Sequence, residues 1–225
     1  MLLLYSLYSG SNKRLLHWLQ ICPRRQFTTL DTHDGIGVVD VYDLLTPGEI
    51  DQTKEYLFSR GANVKPIYNT AAYNNLDIYQ LNCTYYSALG NDDAAYLLAR
   101  AIQFFAPGIP QVCYVGLLAG ENDVELLERT KEGRNINRHY YSLAEVEEQM
   151  QRPVVQRLFQ LMRFRNSYQA FDGSFTAEPL GATGLRLTWL QGEYEAVLEC
   201  DLKTHDFTVF YFDPAENQRN TLNLD

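Results

Sequence analysis

The chain has 225 residues, 46% hydrophobic and 21% charged, enough to bury about 70–75% of its unfolded surface in one large domain or two small ones. Lys and Arg number 19 against 28 Asp and Glu, a net charge of −9, and Arg24-Arg25 is a short solvated cluster. Nucleic acid, whose binding needs clustered Lys and Arg, is therefore excluded as a partner. Cys22, Cys83, Cys113 and Cys200 are widely separated, with no C-x-x-C pair. That argues against a zinc ribbon or a redox motif and fits reduced thiols. The apolar start, Met1-Leu2-Leu3-Leu4-Tyr5, has no basic leader and is too short to span a bilayer, so a cytoplasmic protein with no membrane partner is expected.

In chain order, Lys13–Ile21 reads as a helix with Leu15, Leu16 and Leu19 on one side. A strand over 27–30 follows and ends at Asp31-Thr32-His33-Asp34-Gly35. Thr46-Pro47-Gly48-Glu49 is a capping box with proline at the first helical position, opening a helix that Gly61 closes. An Asn- and Tyr-rich loop covers 64–75. Asp92-Asp93 introduce a helix over 94–105, apolar nearly all round and so buried, which Pro107-Gly108 ends. The apolar run 111–115 suits a strand covered on both faces, as in a parallel sheet. Ser142-Leu143-Ala144-Glu145 is a second capping box, and a helix from Pro153 places Val155, Phe159 and Met162 along one stripe.

Near residue 170 the period changes to two. Leu185, Leu187 and Trp189 alternate with Arg186 and Thr188, and Tyr194, Ala196, Leu198, Cys200 and Leu202 alternate with Glu193, Glu195, Val197, Glu199 and Asp201. One-sided strands of this kind build a small antiparallel sheet. The first part thus reads as αβ units and the last as an appended β domain. Two buried strands are too few to close a parallel barrel and would leave open edges.

Three stretches carry chemistry. Asp31-Thr32-His33-Asp34-Gly35-Ile36-Gly37 closes a strand, and in a barrel the C-terminal strand ends are where chemistry sits. A carboxylate and an imidazole there can hold vicinal hydroxyls and oppose developing positive charge; the plainer alternative is that both cap a turn. A metal phosphohydrolase is disfavoured because His17, His139 and His205 lack ligand spacing, and a dinucleotide loop because Asp40 stands in place of a third glycine. The loop Asn75-Leu76-Asp77-Ile78-Tyr79-Gln80 mixes a carboxylate, a phenol and an amide suited to a sugar, or is simply a surface turn. In Gly133-Arg134-Asn135-Ile136-Asn137-Arg138-His139-Tyr140-Tyr141 an arginine fork can hold a hydroxyl, carboxylate or phosphate, or tie the loop down through a salt bridge. No Gly-x-Ser-x-Gly elbow or P-loop is found, spacing identifies no nucleophile and acid pair of carboxylates, and no metal or organic cofactor is indicated.

Taken together, the stretches FTTLDTHDGIGVVDV (27–41), NNLDIYQLNCTYYSALG (74–90), FFAPGIPQVCYVGLLAG (104–120), ELLERTKEGRNINRHYYS (125–142) and RPVV, FRN and AFDGSF (152–175) resemble the sucrose phosphorylases of the α-amylase-type glycoside hydrolase clan, in the family's order. The last fifty residues or so match only loosely. The resemblance implies an α/β fold: a partial (β/α)8 barrel over 1–169, with an inserted loop subdomain at about 38–90, followed by a small antiparallel β domain over 170–225. Met1–Ser9 would then contain the end of the sixth barrel strand and the segment after it, 27–32 the seventh strand and 111–115 the eighth.

The activity implied is that of a glycosyltransferase: retaining transfer of glucose from sucrose to phosphate, giving α-glucose 1-phosphate and fructose. By the resemblance, Asp34 is the transition-state stabiliser, His33 and Arg134 bind the glucosyl unit, and Asp77, Tyr79 and Gln80 belong to the loop that exchanges fructose for phosphate. The family's nucleophile and acid/base would precede Met1, so the chain alone is expected to be inactive. The resemblance also admits a homodimer of the full-length form. Cys113 departs from the family's usual tyrosine, and Ile78 is apolar where phosphosucrose enzymes carry a basic residue, which favours plain sucrose. Alternatives are a phosphorylase of phosphosucrose or glucosylglycerate, an amylase-type hydrolase, and a non-catalytic sugar-binding fragment.

Overall fold

A computed structural model describes residues 1–62 and 79–224. The described residues fall into two units: Met1–Tyr5, Thr29–Tyr96 and Val112–Val155 form one, and Ser6–Thr28, Leu97–Gln111 and Gln156–Asp225 the other.

In the first unit, helix α3 (Pro47–Ser59) begins as its sequence dictates. Thr46 Oγ1 accepts from the Glu49 amide at 3.3 Å while Glu49 Oε2 accepts from the Thr46 amide at 2.7 Å, and Gly61 follows at φ +86°. Two-residue strands β2 (Ile36–Gly37) and β3 (Gln80–Leu81) pair antiparallel, Ile36 opposite Leu81 and Gly37 opposite Gln80. Short helices α4 (Tyr85–Ala88), α6 (Tyr114–Leu117), α7 (Val124–Thr130) and α8 (Leu143–Gln149) follow, the last with its own Ser142–Glu145 capping box. Asn122 binds α4 down, its Oδ1 accepting from the Thr84 backbone amide at 2.8 Å and its own backbone amide donating to Ser87 Oγ at 2.9 Å. His139 stands 2.6 Å from Asp123 through Nδ1 and 3.4 Å from Glu145 through Nε2, joining the start of α7 to α8.

In the second unit, helix α2 (Lys13–Ile21) buries Leu15 and Leu19. Strands β1 (Phe27–Thr28) and β4 (Ile109–Pro110) pair parallel, with Phe27 opposite Ile109. The last part is a five-stranded meander in sequence order: β5 (Ser174–Leu180), β6 (Gly184–Gln191), β7 (Tyr194–Asp201), β8 (Phe207–Asp213) and β9 (Gln218–Thr221). Of the expected inward set, Leu185, Leu187, Trp189, Ala196, Leu198, Cys200 and Leu202 are buried; Tyr194 is half-buried, and Val197, expected on the outward face, is buried. Trp189 Nε1 donates to the Phe105 carbonyl at 2.7 Å within a cluster of Phe105, Phe171 and Phe175 rings. Three further α-helices among the described residues, α1 (Leu2–Ser9), α5 (Asp93–Phe105) and α9 (Pro153–Ser167), each have residues in both units.

Three expectations are corrected. Met1–Ser9 holds no strand end; Leu2–Ser9 is helical throughout, an unbroken run of Leu, Tyr and Ser without a turn residue. No strand forms at 111–115; the strand lies just before it, at Ile109–Pro110, and that expected at 27–30 is confined to Phe27–Thr28. At its end the Gln111 amide still donates to the Thr28 carbonyl at 2.9 Å, and the Gln103 side chain joins there: its Nε2 donates to the Thr28 carbonyl at 2.7 Å and to the Gln111 carbonyl at 3.0 Å. Beyond it Cys113 turns the chain into α6. In α9 the buried stripe is Val154, Val155, Leu158 and Leu161, while Phe159 and Met162 are half-buried.

Candidate functional site

The turn after β1 is built by short-range bonds. Thr32 and Gly35 exchange amide-to-carbonyl bonds of 3.0 Å each, and the Asp34 amide donates to Thr32 Oγ1 at 3.1 Å. Gly35 has φ +111°, a conformation L side chains rarely adopt. Just before the turn, buried Asp31 accepts from the Tyr85 amide at 3.1 Å; just after it, β2 lies on β3, and Asn82 Nδ2 donates to the Asp34 carbonyl at 2.8 Å. The backbone of 31–37 is thus fixed from both sides, which aims the side chains between.

Asp34 is the centre of charge. Its Oδ1 receives Arg134 Nη1 at 2.9 Å and Arg138 Nη2 at 2.8 Å, and its Oδ2 lies 3.5 Å from His33 Nε2. One carboxylate against two guanidiniums leaves one positive charge. The side chains of His33 and Arg134 are 66% and 45% exposed, those of Asp34 and Arg138 only 28% and 27%. The first pair can therefore reach a ligand while the second is held. The loop that brings the arginines is a 3₁₀ turn, Gly133–Asn137, anchored by buried Ile136 and Asn137. Tyr114 Oη donates to the His139 carbonyl at 3.0 Å. Burial pushes the Tyr114 phenol above its ordinary value and that of Tyr141 up to about 12, so both remain protonated donors near neutral pH.

Of the residues expected from the sequence, the structure brings His33, Asp34 and Arg134 together. Tyr79 and Gln80 come alongside through backbone: Gln80 pairs with Gly37, and the Tyr79 carbonyl accepts from the Val38 amide at 3.0 Å, with the Tyr79 side chain exposed. Asp77 and Ile78 lie outside the described residues. Asn137 and Arg138 were not singled out among their neighbours. The salt bridge entertained for this loop exists, and its acceptor is the candidate stabilising carboxylate itself. Among the described residues no group of three or more His, Cys, Asp or Glu side chains is placed to hold a metal.

No protein-family profile matches the chain. Over 172 residues it is 64% identical to a sucrose phosphorylase of Streptococcus mutans serotype c, a match that covers 76% of this chain and 36% of the relative. The chain matches the carboxy-terminal portion of the sucrose phosphorylases. It is also 51% identical over 211 residues to a sucrose 6(F)-phosphate phosphorylase of Thermoanaerobacterium thermosaccharolyticum, covering 92% of this chain and 43% of that one. A glucosylglycerol phosphorylase of Marinobacter adhaerens is 49% identical over 215 residues, covering 94% of this chain and 44% of that relative. Among solved structures, the sucrose 6F-phosphate phosphorylase from Thermoanaerobacter thermosaccharolyticum superposes with a TM-score of 0.91 at 49% identity, over 97% of this chain and 44% of the other. The chain thus spans less than half the length of these phosphorylase relatives. The α/β character and the five-stranded antiparallel sheet agree with that likeness.

Proposed function

We propose that the chain is the carboxy-terminal part of a sucrose phosphorylase, a hexosyltransferase that moves glucose from sucrose to phosphate with retention. The products are α-glucose 1-phosphate and fructose. The observation that carries the reading is the grouping of Asp34, His33 and Arg134 around the turn 31–37, in a chain 64% identical to a relative bearing that name. The two guanidiniums occupy Asp34 Oδ1, which leaves Oδ2, beside the exposed His33 ring, for a sugar hydroxyl. A carboxylate fixed there opposes the positive charge of an oxocarbenium-like transition state. Arg134 and His33 bind the glucosyl unit, and Asp77, Tyr79 and Gln80 serve the exchange of fructose for phosphate.

On this reading β1 and β4 are the seventh and eighth strands of a (β/α)8 barrel. The barrel part is 1–169, with an insertion at about 38–90, and 170–225 is the β domain. The covalent nucleophile and the acid/base come from the amino-terminal part of the relatives, which this chain does not span. The four free cysteines support a cytoplasmic setting.

A second reading, phosphosucrose in place of sucrose, is favoured by the 51% identity to the phosphosucrose enzyme. One assay separates the two. The 225 residues are joined to the amino-terminal portion of the Streptococcus mutans relative and given phosphate with either donor. Preferential glucose 1-phosphate formation from sucrose supports the first reading, preference for the phosphorylated donor the second, and release of glucose without glucose 1-phosphate refutes both.

A further inference from the structure

We propose that Arg138 is a positioning residue that braces the Asp34 carboxylate for the proposed glucosyl transfer, an inference that rests on the function proposed above for its catalytic meaning. Arg138 binds the turn at two points. Its Nε donates to the His33 carbonyl at 2.7 Å while its Nη2 donates to Asp34 Oδ1 at 2.8 Å. One planar guanidinium thereby spans the backbone before Asp34 and the carboxylate itself. Its neighbour completes the hold: Asn137 Nδ2 donates to the carbonyls of Thr32 and His33, each at 3.1 Å. Asn137 is only 3% exposed, so the donor side of this part-buried contact is shielded from water.

The two arginines on Asp34 therefore do different things. Arg134 makes one contact, through Nη1, and its side chain is 45% exposed; it can leave the carboxylate for a hydroxyl. Arg138 is 27% exposed and tied to backbone as well; its departure would also strip the His33 carbonyl of one of its two donors. Held through Oδ1, the carboxylate keeps Oδ2 on the His33 side while Arg134 comes and goes. The geometry needs a fork, because an ammonium is a point charge that cannot make both bonds in one plane. Arg138→Lys should therefore fail where a merely charged neighbour would suffice.

The test has a spectroscopic and a kinetic arm. In the isotopically labelled 225-residue chain, the Arg138 Nε–H signal should exchange slowly and move in Asp34→Asn. The Asp34 Cγ resonance should shift in Arg138→Lys as it does in Arg138→Ala. An Arg138 Nε–H exchanging like that of an exposed arginine, or an Asp34 Cγ resonance indifferent to Arg138→Lys, overturns the brace. In the chain joined to the amino-terminal portion of the Streptococcus mutans relative, Arg138→Lys should lower kcat by about tenfold to a hundredfold. KM for sucrose should stay within about threefold, since the loss falls on the transition state rather than on binding. An unchanged kcat overturns the proposal. If the joined wild-type protein forms no glucose 1-phosphate, the proposed function fails, and the Arg138 and Asp34 signals still decide whether the brace exists.

Discussion

A Cβ placed on Gly35 would lie 2.2 Å from the carbonyl oxygen of Leu81. The turn that presents Asp34 therefore packs its backbone directly on β3, at a residue whose φ of +111° already favours glycine. Gly35→Ala meets both penalties and should cost about 1–3 kcal/mol or more of stability. Gly48, in the first turn of α3, meets nothing beyond its own helix within 4 Å of its would-be Cβ among the described residues, and Gly48→Ala should be neutral or stabilising by up to about 1 kcal/mol. Urea unfolding of the two variants measures the contrast. Equal effects would mean that the turn is not held against β3.

The thiols should separate by reactivity. Burial pushes Cys83 and Cys200 up to about 12, whereas Cys113 is only half-buried. At pH 8 a thiol reagent should label Cys113 first and leave Cys83 and Cys200 unlabelled until denaturant is added. Prompt labelling of Cys200 in the folded chain would contradict the packing of the five-stranded sheet.

Asp201 closes the turn between β7 and β8. Its carboxyl accepts from Thr183 Oγ1 at 2.6 Å and from the amides of Lys203 and Thr204 at 2.8 and 3.0 Å. The bond from Thr183, followed by that from the Thr204 amide, holds the carboxyl below its ordinary value. A lowered carboxyl stabilises the fold above its unfolded value of about 3.9, and the contribution is lost as pH falls through the lower folded value. Asp201→Asn should thus be less stable than the wild type at pH 5, and the two should converge below about pH 3.9. A stability difference that stays constant across the range contradicts the assignment.

The β1–β4 pair ends in exposed apolar side chains: Phe27 is 70% and Ile109 63% exposed. No further strand pairs with either among the described residues. Parallel strands are ordinarily covered on both faces, and bare edges invite association. The isolated chain should bind a hydrophobic dye and self-associate, and both should diminish when it is joined to the amino-terminal portion of a relative. Dye fluorescence and sedimentation velocity check this. Equal dye binding by both forms would mean that the joined part does not cover these strands.

Much of this was legible in the sequence because the relevant forces are local. The boxes at Thr46 and Ser142 each form both of their bonds, and the period-two pattern after residue 184 becomes β6 and β7. The run 111–115 misled because a short apolar stretch does not distinguish a strand from the start of a helix: Gln111 and Tyr114 are exposed, and α6 begins at Tyr114. The carbonyls at the end of the pair are held by Gln103, a polar side chain on a helix that reads as apolar nearly all round. His33, Asp34 and Arg134 were legible through family likeness rather than through spacing. The contact of Arg138 was not, because nothing local says that a second arginine of the same loop also reaches a carboxylate 104 residues away.

The central claim, that Asp34 is the stabilising carboxylate of a glucosyl transfer, is tested most directly by one rate. The chain joined to the amino-terminal portion of the Streptococcus mutans relative is given sucrose and phosphate, and α-glucose 1-phosphate formation is compared with that of its Asp34→Asn variant. The account predicts a fall of about a hundredfold to a thousandfold in kcat with unfolding unchanged. An Asp34→Asn variant that turns over at the wild-type rate would contradict it.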